Sequence, residues 1–552
     1  MSEERVPVLI VGGGTVGLAA ALFLTTHGVT PLVLERQPGV SIHPRATGIG
    51  PRTMEFLRQA GLERAVNDVA VDMSAGGRVK VSARSLAEVD LATAPVLSVT
   101  ENDWGSADPS PARIRGVCPQ HRLDAVLLPA ARSKGARVRF SARMVDCAIE
   151  SEGVTVTLDT GEVIAADYLI AADGVRSTVR ERLGIGVGGP GPLGEPATSI
   201  LFRADLTPYT QGRTFVNCTI THPDAPGLLV TVDGEKEWIF HAGTDSESTG
   251  GAAEVAVEQW QEVIRTAVGD PALPVEVRSV LPWRPRGQLA DRFQAGRSVD
   301  TAAEHDAGRS VGEAAEHGRV FLAGDAAHAV PPLGAFGLNT GMADAHNLAW
   351  KLAAVLRGDA GPALLDTYTA ERRPVAAMTL EQAMIRLTDP TLHWDAHAVD
   401  RRAAAGALHA LVVHLGYRYD SAAVIESSPA LPSTEDVIAD LDGTPGSRLP
   451  HRWLAGGTST LDLIRSHCTV IGGNHRWIAA ASDAAAELGI RVDSHALALA
   501  DNAVREWFDT VGIGPDGALL VRPDQIIAAR IPSAPPAPAR LLRQLLTRAL
   551  AR

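Results

Sequence analysis

The sequence predicts an α/β protein, because three separated segments each place an apolar strand in front of a turn that contains glycine. These segments are residues 8–17, 168–180 and 318–341. In the first, Val-Leu-Ile-Val runs into Gly12-Gly-Gly14-Thr-Val-Gly17, which is typical of the first strand, turn and helix of a Rossmann-type domain. The chain has 552 residues and is therefore long enough for more than one domain.

Each element of the first unit can be read from its hydrophobic pattern. Residues 6–11 are predicted as a buried parallel strand, 15–27 as the following helix and 30–35 as the next strand. Between residues 120 and 185 we expect a helix, a β-meander over 138–158 and a strand that ends at Asp173-Gly174.

A second, sheet-based unit is predicted from short β-rich segments separated by Pro, Gly and Asp. The segments are residues 213–221, 227–233 and 236–242. Because the first pattern resumes afterwards, the two units are interleaved. The nucleotide-binding unit is expected over 1–75, 116–190 and 318–395, and the sheet unit over 76–115 and 191–296.

Residues 297–317 stand apart as a short tandem duplication. The sequence Gly296-Arg-Ser-Val-Asp-Thr-Ala-Ala-Glu-His305 recurs as Gly308-Arg-Ser-Val-Gly-Glu-Ala-Ala-Glu-His317. A tolerated surface insertion is the favoured interpretation, since long surface loops cost little free energy, and a functional lid is the alternative.

Composition and charge exclude several classes of partner. Hydrophobic residues make up 45% and charged residues 21% of the chain, as in ordinary globular proteins. A formal net charge of −13 disfavours nucleic acid and anionic membranes, which select basic surfaces. The four cysteines have no metal-ligand spacing, so no metal site is predicted, and they are expected to be reduced. With no signal peptide and no apolar run of about 20 residues, a cytoplasmic location is expected.

The first glycine motif suits a dinucleotide for definable reasons. Gly12 permits the tight turn, Gly14 lets the backbone approach a pyrophosphate, and Gly17 allows close helix–strand packing. Glu35 ends the next strand, where a carboxylate can accept hydrogen bonds from ribose hydroxyls and disfavours a 2′-phosphate. Alone, this motif leaves an NAD-dependent dehydrogenase open. A second match at residues 186–191 opens no helix and is discounted.

Together, the three motifs resemble the single-component FAD-dependent aromatic hydroxylases, of the para-hydroxybenzoate hydroxylase-like fold. The third motif carries much of the resemblance, with Gly324-Asp325, Pro331-Pro332 and Gly337-Leu-Asn339-Thr-Gly341. The resemblance implies that FAD is held by Gly12, Gly14, Val16, Gly17, Glu35, Arg36, Arg45, Gln120, Asp173, Asp325, Pro332, Gly337, Leu338 and Asn339. A helix starting near Thr340 is expected to point its positive end at the flavin.

The resemblance also implies the chemistry. NADPH or NADH would reduce the flavin near Asp173, Arg176 and Arg180, O₂ would form a C4a-hydroperoxide, and an electron-rich ring would be hydroxylated. No catalytic base is assigned. The pocket candidates are Trp238, Phe240, His241, Pro332 and Phe336. Phe336 replaces a glutamine common in the family, and an apolar wall for a larger, flatter substrate is expected.

The end of the chain resembles the C-terminal thioredoxin-like domain of the polyketide-tailoring members of this family. It is expected after a linker, within residues 396–552, and without a C-x-x-C pair it is expected to be structural. The amphipathic stretch 541–550 is predicted to pack on this domain.

The favoured function is hydroxylation of a phenolic polyketide or a hydroxy-heteroaromatic natural product by a monomer or homodimer. Baeyer–Villiger oxygenation of a polycyclic ketone is a same-fold alternative. A non-catalytic flavin- or metabolite-binding protein is the alternative from another class. A flavin-dependent halogenase is disfavoured, because none of the nine tryptophans forms a W-x-W pair.

Overall fold

The computed structural model describes residues 4–72, 78–91, 93, 96–97, 109–114, 116–210, 212–213, 215, 217–243, 256–296, 317–394, 398–432 and 441–552. Apart from residue 317, the duplication at 297–317 lies outside the described residues.

Twenty-four strands are assigned in these ranges. Those up to residue 171 are β1 (Glu4–Val11), β2 (Leu32–Leu34), β3 (Arg78–Ala83), β4 (Val96–Leu97), β5 (Arg137–Arg139), β6 (Met144–Glu150), β7 (Gly153–Leu158) and β8 (Val163–Ala171). The middle strands are β9 (Val187–Pro192), β10 (Ala197–Arg203), β11 (Asn217–Ile220), β12 (Gly227–Thr231), β13 (Glu237–Gly243), β14 (Glu276–Trp283), β15 (Arg286–Ala290), β16 (Gln294–Ala295), β17 (Val320–Leu322) and β18 (His328–Ala329). The last are β19 (Trp453–Leu454), β20 (Thr458–Ser459), β21 (Cys468–Gly472), β22 (Val492–Ala496), β23 (Ala518–Val521) and β24 (Ile527–Ile531).

The α-helices in the described residues follow in the same order. They are α1 (Thr15–Thr26), α2 (Pro51–Gln59), α3 (Glu63–Val69), α4 (Gln120–Ser133), α5 (Thr178–Arg182), α6 (Thr207–Thr210), α7 (Val257–Val268), α8 (Phe336–Leu356), α9 (Thr367–Thr388), α10 (Thr391–Trp394), α11 (Val399–Ala405), α12 (Arg476–Leu488), α13 (Asn502–Thr510) and α14 (Pro538–Ala549).

The first sheet has the order β16-β17-β8-β1-β2-β5, and the hairpin β6–β7 extends from β8. β1 is parallel to β2 and β8, and β17 is parallel to β8. The predicted meander over 138–158 is wrong in part. β5 pairs in parallel with β2, because α4 returns the chain to that edge, and only β6 and β7 form an antiparallel hairpin beside β8.

The second sheet has the order β14-β10-β13-β12-β11-β3-β4. β3 comes from early in the chain yet pairs in parallel with β11, so the two units interleave. One face of this sheet packs on α7 through a buried apolar cluster that includes Phe202, Phe215 and Trp260. The opposite face is turned toward the first unit.

The C-terminal domain has a four-stranded sheet of order β22-β21-β23-β24. β21 and β22 are parallel and flank α12 in sequence, whereas β23 and β24 are antiparallel, which is the thioredoxin-like arrangement. Leu542, Leu546 and Ala549 of α14 are buried in the core that α12 shares. The predicted fold class is therefore confirmed in all three parts.

Buried ion pairs join the C-terminal domain to the helices of the first unit. Arg522 donates to both carboxylate oxygens of Glu371 at 2.6 and 2.8 Å, and Lys351 donates to Glu371 at 2.7 Å. Arg448 binds Glu55 at 2.5 and 2.9 Å. All five side chains are at most 1% exposed, so the domain is docked through desolvated charges.

Among the described helices, none combines the length and the apolar character that crossing a bilayer requires.

Candidate cofactor and substrate site

The glycine turn after β1 is closed by backbone contacts on one side and open on the other. Gly12 has a φ of +107°, and a Cβ there would lie 2.2 Å from the carbonyl oxygen of Ala172. A Cβ on Gly17 would lie 1.9 Å from the carbonyl oxygen of Gly12, whereas one on Gly14 would meet no atom within 4 Å. Gly14 is the N-cap of α1, so the open space lies at a helix N-terminus, where phosphate binds favourably.

Glu35 ties the end of β2 to this turn. One carboxylate oxygen accepts from the Gly13 N–H at 2.7 Å and the other from the Gln37 N–H at 2.8 Å. A carboxylate oxygen can accept two hydrogen bonds, so capacity is left for ribose hydroxyls. Arg36 is exposed beside it.

The third motif is packed against the first through Val16. A Cβ on Gly324 would lie 2.9 Å from a methyl carbon of Val16, and a Cβ on Gly341 would lie 2.6 Å from the same atom. Both glycines are therefore required by the side chain of Val16. This contact brings the turn after β17 to the N-terminus of α1.

Asp325 and Arg45 lie near each other at this junction. The Asp325 carboxylate is open to solvent but is surrounded by protein on most sides, and this desolvation raises its pKa. The charges of His328 and Arg45 act in the opposite direction on the same pKa. Arg45 is itself exposed, so a cation and a carboxylate, both from predicted positions, face one open region.

A buried carboxylate fixes the loop that carries Asp325. Asp344, on α8, accepts from the Gly324 N–H at 3.1 Å, from Nε2 of His328 at 2.6 Å and from Nε of Arg372 at 2.7 Å. Burial alone would raise the pKa of Asp344, but His328 and Arg372 hold it below its usual value. His328 is thus a positioning residue for the loop.

The helix facing the site begins earlier than predicted. α8 starts at Phe336 rather than near Thr340, because Gly334 (φ +93°) and Ala335 (φ +54°) take left-handed conformations that end the loop and cap the helix. The first-turn N–H groups of Phe336, Gly337 and Leu338 have no acceptor within the helix and are available to a ligand. Pro332 is exposed at the same end.

Asn339 acts as a clamp within the protein. Its side-chain oxygen accepts from the Gly50 N–H at 2.8 Å and from the Thr53 hydroxyl at 2.7 Å. Its amide nitrogen donates to the carbonyl oxygens of Gly48 at 3.2 Å and Ala335 at 2.6 Å. The side chain is therefore committed to holding the loop before α2 against α8, and only the backbone of Asn339 is left for a cofactor.

The expectation that Phe336 forms a wall of the substrate pocket is wrong. The side chain is 1% exposed and packs with Ala383 and Val413. The Arg386 guanidinium lies 5.1 Å from its ring centroid and the His414 ring lies 5.3 Å away. The first turn of α8 directs this side chain into the helix-packing core, away from open space.

The Asp-Gly turn after β8 joins the first and third motifs. Asp173 accepts from the Val179 N–H at 3.2 Å, and burial raises its pKa. Arg180 is buried and donates to the carbonyl oxygens of Val175 and Ala326, both at 2.9 Å. It is therefore structural, whereas Arg176 is exposed and available to an anionic ligand.

The second sheet presents polar and aromatic groups toward this junction. Ser199 of β10 lies opposite His241 of β13, and the Trp283 ring is 5.1 Å from the His241 ring. His43, two residues before Arg45, binds the Ser199 hydroxyl at 2.8 Å across the two units. Burial lowers the pKa of both His43 and His241 to about 4, so both imidazoles are neutral at pH 7.

Trp238 and Phe240 do not share that face. Side chains alternate along a strand, so these two point to the side opposite His241. They are 1% and 0% exposed within the cluster that packs on α7. The Trp238 indole N–H donates to the Ala204 carbonyl at 3.1 Å, so both residues belong to the core and the expectation that they line the pocket is wrong.

Sequence reasoning missed Thr15, Asp124 and Asp344 at this site. The predicted residue Gln120 donates to the Thr15 hydroxyl at 2.8 Å, and the Thr15 hydroxyl donates to the buried Asp124 at 2.6 Å. The available signal was the i, i+4 spacing of Gln120 and Asp124, which puts them on one face of α4. For Asp344, the signal was a carboxylate in the middle of a mostly buried helix of 21 residues.

The assembled residues fit FAD. The open space in front of Gly14 and α1 suits the pyrophosphate, Glu35 suits the adenosine ribose, and the Arg45–Asp325 pair suits the phosphates and polyol chain. The first turn of α8 can hold negative charge on the flavin ring through free N–H groups.

Comparison with known proteins agrees with this geometry. The FAD binding domain family matches residues 5–300 and 297–383, and the aromatic-ring hydroxylase C-terminal family matches residues 442–552. Tetracenomycin A2 monooxygenase-dioxygenase of Streptomyces glaucescens is 40% identical, over 100% of this chain and 98% of that protein.

Two solved structures share the whole architecture. A ternary complex of aklavinone-11 hydroxylase with FAD and aklavinone has a TM-score of 0.80 and 32% identity, with 100% of both chains covered. The flavin-dependent monooxygenase PieE, in complex with FAD and substrate, has a TM-score of 0.81 and 29% identity, with 99% of both chains covered. With the matched families and the full-length relative, they show that the chain belongs to the FAD-dependent aromatic-ring hydroxylases and is a flavin monooxygenase acting on a small aromatic molecule.

Proposed function

We propose that this enzyme consumes NADPH or NADH and O₂ to oxygenate a polycyclic phenolic molecule of the aromatic polyketide type. The observation that carries the proposal is the sheet face of Ser199, His241 and Trp283, joined through His43 to the loop of Arg45. The names of the relatives support the same substrate class, since they act on tetracenomycin A2 and aklavinone.

His241 is proposed as a substrate contact. Among the described residues, its buried Nδ1 has no hydrogen-bond partner, and an unpaired buried polar atom is costly unless a ligand completes it. A neutral imidazole can accept a hydrogen bond from a phenol hydroxyl or donate one to a quinone oxygen. Trp283 would stack on a flat ring system next to this contact.

When bound and reduced, the flavin would supply activated oxygen, and the protein would bind it, orient it and stabilise its charge. The N–H groups at the start of α8 stabilise negative charge, and Asp344 fixes the loop of Asp325. Exposed Arg176 beside Asp173 is proposed to bind the phosphates of the nicotinamide cofactor.

The first test is anaerobic reduction of the flavin by NADPH, with and without tetracyclic phenols. The expected result is faster reduction with a phenolic ligand. If no polycyclic phenol among those tested changes the rate, the proposed substrate class is wrong. His241→Gln should weaken binding of the accelerating ligand roughly tenfold, as for one lost hydrogen bond. His475→Gln, an exposed histidine of the C-terminal domain, is the matched control and should bind normally.

The number of oxygen atoms transferred separates the alternatives. The relative from Streptomyces glaucescens is named as both a monooxygenase and a dioxygenase, so one turnover under ¹⁸O₂ with mass spectrometry is required. One labelled hydroxyl supports hydroxylation, two labelled oxygens support dioxygenation, and a labelled ring ester or lactone supports Baeyer–Villiger oxygenation.

A further inference from the structure

Behind the N-terminus of α1, three polar side chains form a short hydrogen-bonded series. Asp124 of α4 lies 2.6 Å from the Thr15 hydroxyl, and Thr15 lies 2.8 Å from the amide nitrogen of Gln120. Asp124 and Thr15 are 1% and 2% exposed, whereas Gln120 is only partly buried. The series therefore runs from the interior toward the open site.

The donors and acceptors in this series have a fixed direction. Above its raised pKa of about 7, the Asp124 carboxyl group is ionised and only accepts, so the single proton of the Thr15 hydroxyl is given to Asp124. The Thr15 oxygen can then only accept, which selects the NH₂ group of Gln120 as its partner and turns the amide oxygen of Gln120 the other way. The Gln120 backbone N–H donates to the Ala46 carbonyl at 2.9 Å. Gln120 therefore lies beside the loop that carries Arg45.

We infer that Asp124 is a positioning residue for the cofactor, which acts through Thr15 to present the amide oxygen of Gln120 to hydroxyl groups of FAD. The inference rests on the proposed place of Gln120 at the cofactor and is independent of the substrate class.

Packing alone does not account for a carboxylate at this position. Among the described residues, the Thr15 hydroxyl is the hydrogen-bond partner of Asp124, and burial raises the pKa of Asp124 to about 7. A buried charge with so little compensation is costly, and asparagine would fill the same volume without it. Asparagine, however, both donates and accepts, so it could not impose a direction on Thr15.

The test is FAD binding to the apoprotein at a pH well above 7, where Asp124 is ionised, followed by flavin fluorescence without substrate or nucleotide. Asp124→Asn and Thr15→Val should each raise the Kd for FAD about tenfold, while the apoprotein melting temperature stays the same or rises for Asp124→Asn. Thr15→Ser keeps the hydroxyl and should restore binding. Thr25→Val, at the other end of α1, and Asp159→Asn, on an exposed turn, are matched controls and should bind normally.

A double-mutant cycle tests the route of the effect. If Asp124 acts through Gln120, Asp124→Asn should weaken FAD binding no further in a Gln120→Leu background. Additive losses would overturn the inference. So would unchanged FAD binding in Asp124→Asn, or a loss that matches a fall in apoprotein melting temperature. These experiments measure FAD binding without substrate. Their results therefore do not depend on whether the proposed substrate class is right.

Discussion

At the scale of single residues, the glycines of the first motif are needed for two different reasons, close packing of the protein and space for the cofactor. Gly17 is needed because the carbonyl of Gly12 occupies the position of a Cβ, 1.9 Å away. Gly14 has a φ of −76° and open space around it, so the fold itself would accept a side chain there. We propose that the approach of the cofactor is what excludes a side chain at Gly14.

Substituting these two glycines should therefore give different results. Gly14→Ala should leave the apoprotein melting temperature unchanged and weaken FAD binding at least tenfold, because its methyl group would stand in the pyrophosphate space. Gly17→Ala should lower both the melting temperature and FAD occupancy, since a backbone contact must shift. The measurements are thermal unfolding of the apoprotein and fluorescence titration with FAD. Equal melting temperatures for the two variants would contradict this interpretation.

At the scale of elements, β13 separates core residues from site residues by its alternation. Trp238 and Phe240 face α7, and His241 faces Ser199 and the first unit. The first turn of α8 also combines a core residue with groups of the site. The Phe336 side chain points into the core, while the backbone N–H groups face the site. In both elements, a residue's neighbours in sequence differ from it in role.

The alternation of β13 predicts opposite phenotypes for adjacent positions. Trp238→Ala should lower the free energy of unfolding by about 3–5 kcal/mol through the cavity it leaves. His241→Gln should change stability little and act on ligand binding. Urea denaturation and ligand titration measure the two effects. A stability loss for His241→Gln as large as that for Trp238→Ala would show that His241 is also a core residue.

At the scale of the whole molecule, the C-terminal domain is held by charges that are buried on both sides. Glu371 of α9 accepts hydrogen bonds from Arg522 and Lys351. These two cations hold the pKa of Glu371 below its usual value, although burial acts to raise it. α8 supplies Lys351, as well as Asp344, which fixes the loop of Asp325. α8 therefore contacts both the ion pairs of the C-terminal domain and the loop of Asp325, and we expect the domain and the cofactor site to be coupled through it.

Removing one partner of this network should be costly. Arg522→Gln would leave Glu371 with part of its charge uncompensated in the interior, and a loss of about 3–5 kcal/mol in unfolding free energy is expected. FAD occupancy should fall with it, because α8 is shared. Arg543→Gln breaks an exposed pair with Glu487 and should change the melting temperature little. Unfolding of the C-terminal domain alone, with full FAD occupancy, would contradict the coupling.

Buried neutral histidines predict loss of stability in mild acid. Burial lowers the pKa of His27 to about 3 and that of His43, His241 and His414 to about 4. In the unfolded chain these histidines have a pKa of about 6.5 and take up protons below that pH. Their contribution to the free energy of unfolding is therefore constant above pH about 6.5 and falls between that pH and the folded pKa values. For one such residue the loss at pH 5 is about 2 kcal/mol.

Urea denaturation between pH 7.5 and 5 in excess FAD measures this loss. Asp124, Asp173 and Asp325 act in the opposite direction, because burial raises their pKa values and their protonation stabilises the folded state as pH falls, so the net loss is smaller than the four histidines alone would give. His27→Gln should reduce the slope of stability against pH. An unchanged slope in that variant would mean that His27 is protonated in the folded state.

The sequence by itself determined the fold class and the cofactor. Both depend on local patterns: an apolar strand before a glycine turn needs only its immediate neighbours to be recognised. The C-terminal domain was also identified from local sequence, as was the packing of its last helix.

Only the tertiary structure decided which side chains are free to act. Trp238 and Phe336 are aromatic residues beside the site in sequence, yet the side of the strand or helix they occupy places them in the core. Arg180 and Asn339 have the right chemistry, but their hydrogen bonds are used within the protein. Asp344, Asp124 and Arg522 became visible only through partners distant in the chain. Burial and hydrogen-bond saturation depend on the packing of distant segments, which no local pattern contains.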